Sequence, residues 1–475
     1  MLFSSPIFLF YFLPAVIVLH FLLPMRFKNV MLLIASLIFY AWGEPILVFL
    51  MISSIIFNFF YGNFLNKYKS THKYTLPVGI LINLLPLMLF KYGDFFVVNL
   101  NTLISSVGMT YAFPETGFLL PVGISFYTFQ TISYLVEIVR GTIRSSNNFI
   151  NFALYVTFFP QLVAGPIVRY AQISKELVSR ELTLTSFYAG LERFIGGLFK
   201  KVVIANTLSV IADTIFGLNT DILYPSLSWV GILAYTFQIY YDFSGYSDMA
   251  IGLGKMLGFD FPENFNFPYI SRSIKEFWSR WHITLSSWFR DYVYIPLGGS
   301  RKGITRQLVN IGIVFLLTGL WHGASWNFVI WGGYYGVFLM IEKLLSKNDL
   351  SNRLPYLSWF VTMFIVIIGW VLFRADTIAH ATQFLNSMFF IGESQKIYTV
   401  REIVNKYELT IFAIAIFFSV SPIQIIKGIY EQSPRFQTIL NFSQKIKPLV
   451  IIALFLLAVM RVAGSTHNPF IYYRF

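Results

Sequence analysis

Long apolar runs separated by short polar loops dominate the chain. They fall near residues 6–24, 29–50, 50–65, 76–98, 119–139, 149–168, 185–217, 229–257, 308–322, 325–342, 356–373, 408–427 and 447–463. Crossing the hydrocarbon core of a bilayer takes about 20 predominantly apolar residues per helix. Many of these runs reach that length, so the pattern predicts a bundle of transmembrane helices. The second and third runs meet at Gly43-Glu44-Pro45 and read as one helix broken there. No fixed-period repeat and no low-complexity linker interrupts the series.

Composition strengthens this reading. Of 475 residues, 56% are hydrophobic and 12% charged, and the mean hydropathy is +0.65. A soluble protein of this length needs far more polar surface. The 52 Phe, 28 Tyr and 10 Trp suit a lipid-facing body with aromatic belts at both interfaces. Length by itself suggests several soluble domains. Here one membrane domain over 1–475 is expected, with N-terminal helices at 1–118, a core at 119–345 and C-terminal helices at 346–475. The absence of Cys excludes a disulfide framework, a thiolate nucleophile and Cys-ligated zinc. The first run, Pro6 to Pro24, lacks a basic n-region and a small-residue cleavage site, so it reads as a retained helix.

The net charge of +13 sits in short loops and reads as a topology signal, with no nucleic-acid partner expected. Arg26 and Lys28 flank one loop, and Lys67, Lys69 and Lys73 another. Arg140 and Arg144 mark a third, Arg301, Lys302 and Arg306 a fourth, and Lys343, Lys347 and Arg353 a fifth. Basic loops face the cytoplasm. The N-terminus, the Gly43–Pro45 turn, the loop near Asn99–Gly117 and the tail at Phe475 are then expected outside.

Two regions break the pattern. Residues 169–201 mix Arg169, Lys175, Arg180, Arg193, Lys200 and Lys201 with apolar positions. Residues 262–306 run from Pro262-Glu-Asn-Phe-Asn-Phe-Pro268 through Arg272-Ser-Ile-Lys275-Glu-Phe-Trp-Ser-Arg280-Trp-His282. Helical spacing predicts one amphipathic helix with Trp278, His282, Leu285 and Phe289 on a shared face. Basic, tryptophan-rich helices of that kind lie in the interface plane. Irregular backbone at membrane depth has to be buried in protein or line a cavity, so a site is expected here.

Among the six histidines, His20, His72, His380 and His467 sit at helix ends or in polar loops and call for no special role. His322 lies in Thr318-Gly-Leu-Trp-His322-Gly-Ala-Ser-Trp-Asn327, between two apolar runs whose far ends both carry basic loops. Sixteen residues of helix rise about 24 Å, which puts His322 at the apex of a helical hairpin. An ionisable residue there is a functional candidate; a neutral imidazole bound to a neighbouring carbonyl fits the same position. Imidazole is the usual general base for a hydroxyl. His282 reads as a second member or as an interface residue. Two isolated His without ligand spacing make a weak metal case, and no metal is expected. Asp242 and Asp248, in an otherwise apolar run, read as structural partners for Arg or Lys from 193–201 or 272–290. The short Gly252-Leu-Gly254 and Gly298-Gly299 make no phosphate loop.

Several stretches together resemble the membrane-bound O-acyltransferase superfamily, in its bacterial alginate O-acetylase branch. They are Phe277-Trp-Ser-Arg-Trp-His282 through Asp291 to Pro296-Leu-Gly-Gly-Ser-Arg301, and Gly319-Leu-Trp-His322-Gly-Ala-Ser-Trp-Asn-Phe. Tyr240-Asp-Phe-Ser-Gly-Tyr-Ser-Asp248, Phe159-Pro-Gln-Leu-Val-Ala-Gly-Pro166, the start at Met1 and the end Asn468–Phe475 fit the same branch. The resemblance implies an all-α polytopic fold of about 11 transmembrane helices, with re-entrant and interfacial helices around a central tunnel. It implies acetyl transfer from cytoplasmic acetyl-CoA, a donor substrate and no bound cofactor, to a hydroxyl outside. That hydroxyl belongs to a polysaccharide, or to a partner acyltransferase or acceptor protein of a polysaccharide-modifying complex. The location implied is the bacterial plasma membrane, with lipid as its surroundings. His322 matches the family's catalytic histidine and His282 a supporting one. Arg272, Lys275, Arg280 and Arg290 are candidates for holding the CoA phosphates, or anionic lipid headgroups. Trp281, Trp321 and Asn327 complete the substrate-binding set. Peptidoglycan O-acetylation, D-alanylation of a wall polymer, and transport or flipping of a precursor are the alternatives.

Overall fold

The computed structural model describes residues 1–345, 353–389, 397–420 and 434–464, with side chains unassigned at 434–443. The described residues are helices and connecting turns, with no strand among them. We number the main helices α1 (Leu13–Leu22), α2 (Met25–Ala41), α3 (Val48–Lys67), α4 (His72–Ser106), α5 (Ile124–Arg140) and α6 (Phe149–Thr157). Then come α7 (Leu184–Phe216), α8 (Pro225–Met256), α9 (Ile274–Arg280), α10 (Ile283–Phe289), α11 (Gly303–His322), α12 (Trp326–Leu345) and α13 (Pro355–Arg374).

Seven of the described helices are long and apolar enough to cross a bilayer: Val48–Lys67, Lys69–Ser106, Leu184–Phe216, Gly303–His322, Trp326–Leu345, Pro355–Arg374 and Gln444–Gly464. The protein is a multi-pass membrane protein. Its outer helices turn Leu, Phe and Val outward: Phe49, Phe60, Leu103, Phe360, Val361 and Leu449 are all exposed. Such residues suit lipid, which solvates them as well as a protein core does. α8 is long enough to span as well, about 48 Å, but is more polar. Buried along most of its length, it meets protein and needs no lipid-compatible surface.

The expected break at Gly43-Glu44-Pro45 is present and separates α2 from α3. α5 is bracketed by two left-handed glycines, Gly123 (φ 76) and Gly141 (φ 73), which end it sharply on both sides. The run at 149–168 is split after Thr157, where Pro160 begins a new short helix, Phe159–Leu162. The run at 408–427 is helical over Lys406–Ser419; its remainder, Lys347, His467 and the terminal Asn468–Phe475 lie outside the described residues.

The predicted single helix through Trp278, His282, Leu285 and Phe289 does not form. α9 ends at Arg280, Trp281 is extended, and His282 takes a left-handed backbone (φ 43) before α10 starts. All four side chains are nevertheless buried. The break is held by Asn264, which lies on the irregular segment preceding α9. Its carbonyl accepts from Thr284 Oγ1 at 2.9 Å, and its backbone oxygen accepts from the Ile283 amide at 3.0 Å.

Two of the basic loops, at Arg140 and at Arg301–Arg306, meet the same segment at one end. Arg140 Nη2 donates to the Asp291 carbonyl (2.8 Å), Gln307 Nε2 to Tyr294 Oη (3.1 Å), and Arg169 pairs with Asp291 (2.8 Å). At the opposite end the Val122 amide donates to Glu44 (3.4 Å) and Trp326 Nε1 to Asn99 (2.8 Å).

Candidate active site

α11 runs unbroken from the basic loop to His322 because its interior lacks Pro, and it stops where Gly323 turns extended (φ −172). α12 returns beside it. The two approach so closely at Gly319 and Gly332 that a Cβ on either would sit 2.2 Å from a carbonyl oxygen of the other helix. His322 is the last residue of α11 and is buried. Its ring packs edge-on against Trp321, Trp331 and Phe373, with centroids 4.9, 5.0 and 5.2 Å away.

His282 reaches the same layer from the α9–α10 break. Its ring lies edge-on to Phe243 at 4.7 Å and meets the Trp321 indole at 5.8 Å. One indole therefore contacts both imidazoles. The Asn264 side-chain carbonyl, which accepts from Thr284, lies 3.0 Å from His282 Nδ1. The Asn264 amide group donates to Ser247 Oγ (3.1 Å). That arrangement puts the proton of neutral His282 on Nδ1. Nε2 is left as a lone pair, buried and with no hydrogen-bond partner among the described residues. A nitrogen so presented is suited to accept a proton from a substrate hydroxyl or to orient it.

Two cavities flank this layer. The larger, about 550 Å³, is edged by Lys275, Arg290 and Lys343 at the basic-loop end and is walled by Trp278 and Phe315. It reaches Thr318, which sits one helical turn before His322 on the same face of α11. Ile283, the chain neighbour of His282, is also in its wall. The smaller, about 70 Å³, is lined by Lys91, residues 120–126, Val163 and Trp321. Trp321 thus stands between the outer cavity and both histidines.

The sequence candidates divide accordingly. His322, His282 and Trp321 come together, and Lys275 and Arg290 line the larger cavity. Arg290 is braced by Asp291 (2.7 Å). Burial opposes ionisation of the Asp291 carboxyl, but hydrogen bonds from Arg290 and Arg169 outweigh it and hold the group below the usual carboxylate range. The other four do not line either cavity. Arg280 is paired with Glu276 (2.9 Å) and donates to the Asn266 carbonyl (3.1 Å). The Arg272 backbone amide donates to Glu276 (2.9 Å), and its side chain is exposed. Trp281 is buried against Trp370 (4.9 Å) and Phe277 (5.6 Å). Asn327 donates to the Ala375 carbonyl (2.7 Å) and so ties the hairpin to α13. What separates Arg290 from Arg280 is which of them faces the cavity, a property that spacing along the chain does not carry.

Sequence reasoning passed over Asn264, Trp331 and Lys91. Asn264 stood in a segment already marked as irregular, and Lys91 was a lone cation in a long apolar run. Asp242 and Asp248 take the structural partners expected of them. Asp242 pairs with Lys201 at 2.6 Å, both fully buried, and Asp248 with Arg193 (2.8 Å) and Lys200 (2.6 Å).

The pattern of the membrane-bound O-acyltransferase family matches residues 34–390. The chain is 45% identical over 399 residues to the probable alginate O-acetylase of Pseudomonas aeruginosa, covering 83% of this chain and 76% of that one. With the probable alginate O-acetylase of Pseudomonas putida it shares 38% identity over 494 residues, the full length of both. The peptidoglycan O-acetyltransferase of Helicobacter pylori is 37% identical over 428 residues, 82% of this chain and 80% of its own. A helical hairpin that carries a buried histidine to its apex, and a pattern match over most of the length, lead to one assignment: the chain belongs to the membrane-bound O-acyltransferase family.

Proposed function

We propose that the protein transfers an acetyl group from acetyl-CoA on the cytoplasmic side to a hydroxyl on the outer side, in the O-acetylation of an extracellular or wall polysaccharide. The observation that carries this reading is the pair of histidines in contact with Trp321, which lines the outer cavity, while Ile283 and Thr318 beside them line the larger one. Likeness to two probable alginate O-acetylases over most of the chain supports acetyl as the group and polysaccharide as the final acceptor. The membrane is the bacterial plasma membrane, with the basic loops in the cytoplasm.

The thioester enters the larger cavity, with Lys275, Arg290 and Lys343 meeting the CoA phosphates. The acceptor hydroxyl approaches from the Trp321 side. His322 takes its proton as the oxygen attacks the acetyl carbonyl; a carbon–oxygen bond forms and the carbon–sulfur bond breaks. The departing thiolate then receives that proton, which leaves ester and CoA thiol. His282, oriented by Asn264, holds the reacting groups in register. Base catalysis of this kind contributes about 10²–10⁴-fold, and end-to-end placement of the two substrates roughly 7–11 kcal/mol. No cofactor is needed. The hydroxyl attacked is that of the polysaccharide itself or of an extracytoplasmic partner that passes the group on.

The test compares ester-acetyl content of secreted and wall polysaccharides in wild type, a deletion strain and that strain carrying His322→Ala. Loss on one polymer, unrestored by His322→Ala present at normal levels in the membrane, is the expected result and identifies the acceptor. Loss from peptidoglycan selects that polymer. Unchanged acetyl on every polymer sinks the reading and brings D-alanyl transfer or precursor transport forward.

A further inference from the structure

α11 ends without a cap of its own. Gly323 is extended, where a left-handed glycine would fold the chain back and supply amides to the last carbonyls. In the final turn, which leaves its carbonyls without intrahelical donors, only the Gly319 carbonyl accepts a following amide, that of Gly323 at 3.3 Å. The Leu320 and Trp321 carbonyls take no backbone amide from beyond the helix among the described residues. A carbonyl left without a donor away from water costs free energy. Both are met from α4, about 230 residues earlier in the chain. Tyr92 donates through its hydroxyl to the Leu320 carbonyl at 2.8 Å, and Lys91 Nζ donates to the Trp321 carbonyl.

The two contacts act on the turn that carries His322. The close approach at Gly319 and Gly332 fixes α11 against α12 three residues before His322, and the last turn of a helix frays unless something holds it. Lys91 Nζ also lies 5.8 Å from the centroid of the Trp321 indole, and a cation over an indole face is attracted to it. That indole contacts the imidazoles of His322 and His282. One side chain therefore holds both the backbone beside His322 and the ring packed against it. A positive group at a helix C-terminus further suits the negative end of the helix dipole. Asp94, one turn along α4, does not draw Lys91 away, since it accepts from the amide and hydroxyl of Thr116, each at 2.6 Å.

We propose that Lys91 and Tyr92 are positioning residues for acyl transfer: by holding the end of α11 from α4, they keep the His322 imidazole in register with the reacting hydroxyl. This rests on the reading of His322 as the base. Both act through the backbone of α11 and the Trp321 ring, and neither takes a proton in the reaction. The carbonyls they hold belong to the two residues before His322, so a shift of that turn carries the imidazole with it. A displacement of 1 Å at a reacting group costs about 10²-fold in rate. Lys91 contributes more than Tyr92, because a charged donor makes the stronger hydrogen bond and only Lys91 also holds the indole.

Two measurements test this, one of them independent of turnover. Amide hydrogen exchange over residues 317–324 is followed by mass spectrometry on protein in lipid nanodiscs, for wild type, Lys91→Met, Lys91→Arg and Tyr92→Phe. Exchange at the end of α11 is expected to rise about tenfold in Lys91→Met and less in Tyr92→Phe, while residues 330–340 of α12 keep their protection. In acetyl transfer, Lys91→Met is expected to lower kcat about 10²-fold with the KM for acetyl-CoA unchanged. Tyr92→Phe lowers it about fivefold, and Lys91→Arg, which keeps a charged donor, recovers most of the loss. Wild-type exchange at the end of α11 in both Lys91→Met and Tyr92→Phe overturns the proposal. So does a wild-type kcat per folded protein in both, or a loss confined to KM. Tyr92→Phe removes one oxygen and keeps the ring, so the test stands even where Lys91→Met fails to fold. A wild type that transfers no acetyl overturns the acyl-transfer reading and the positioning with it; one that transfers while both variants lose nothing overturns the positioning alone.

Discussion

His282 adopts a backbone conformation, φ 43, that costs a non-glycine residue about 1–3 kcal/mol. The surroundings enforce it: Asn264 holds the imidazole through Nδ1, the Thr284 hydroxyl and the Ile283 amide at once. Asn264→Ala should therefore lower acetyl transfer by about 10²-fold, since a displacement of 1 Å at a reacting group costs that much. Asn264→Asp keeps the accepting oxygen and should retain more activity. The check is the transfer rate at matched amounts of folded protein; an unchanged rate in Asn264→Ala removes Asn264 from the machinery. Both histidines were legible in the sequence because each stands in a distinctive tryptophan-containing motif. Asn264 was not, since its role depends on a contact across the helix break it creates. Lys91 was not either: the carbonyl it caps lies 230 residues away.

Between α7 and α8 the backbones themselves touch. A Cβ on Gly197 would lie 2.5 Å from the Gly245 carbonyl oxygen, and one on Gly252 would lie 2.6 Å from that of Gly190. Two glycine pairs spaced seven residues apart on each antiparallel helix make this the small-residue crossing common in membrane bundles. It brings the Asp248 carboxylate within reach of Arg193 and Lys200. Gly197→Leu should destabilise the protein by about 1–3 kcal/mol through overpacking, read as a lower Tm in detergent and a poorer yield. Gly196→Ala, where an added Cβ meets nothing within 4 Å, should leave both unchanged. Equal effects at the two positions discount the crossing. The apolar runs predicted the existence of these helices well. They missed the break at Trp281–His282 because the side-chain periodicity continues across it, all four expected residues being buried on both sides.

At the scale of the whole molecule, the loops marked by Arg140 and by Arg301–Arg306 meet the Asp291–Tyr294 segment at one end, and charge predicts that this end faces the cytoplasm. The chain has no Cys, so single introduced thiols report orientation cleanly. Thr110→Cys should react with a membrane-impermeant maleimide in cells whose plasma membrane is intact, and Ser300→Cys only after that membrane is opened. The reverse pattern would invert the assignment of donor and acceptor sides. The sequence by itself determined the membrane class, the series of apolar helices and the two histidine motifs. Hydrophobic run length, loop charge and residue identity are local properties, and the bilayer acts on each segment separately. Tertiary structure decided which cations line the larger cavity, that Trp321 stands beside both imidazoles, and that α4 caps the helix carrying His322. Those are contacts between segments far apart in the chain, as between Lys91 and Trp321, and no local pattern of residue types records them.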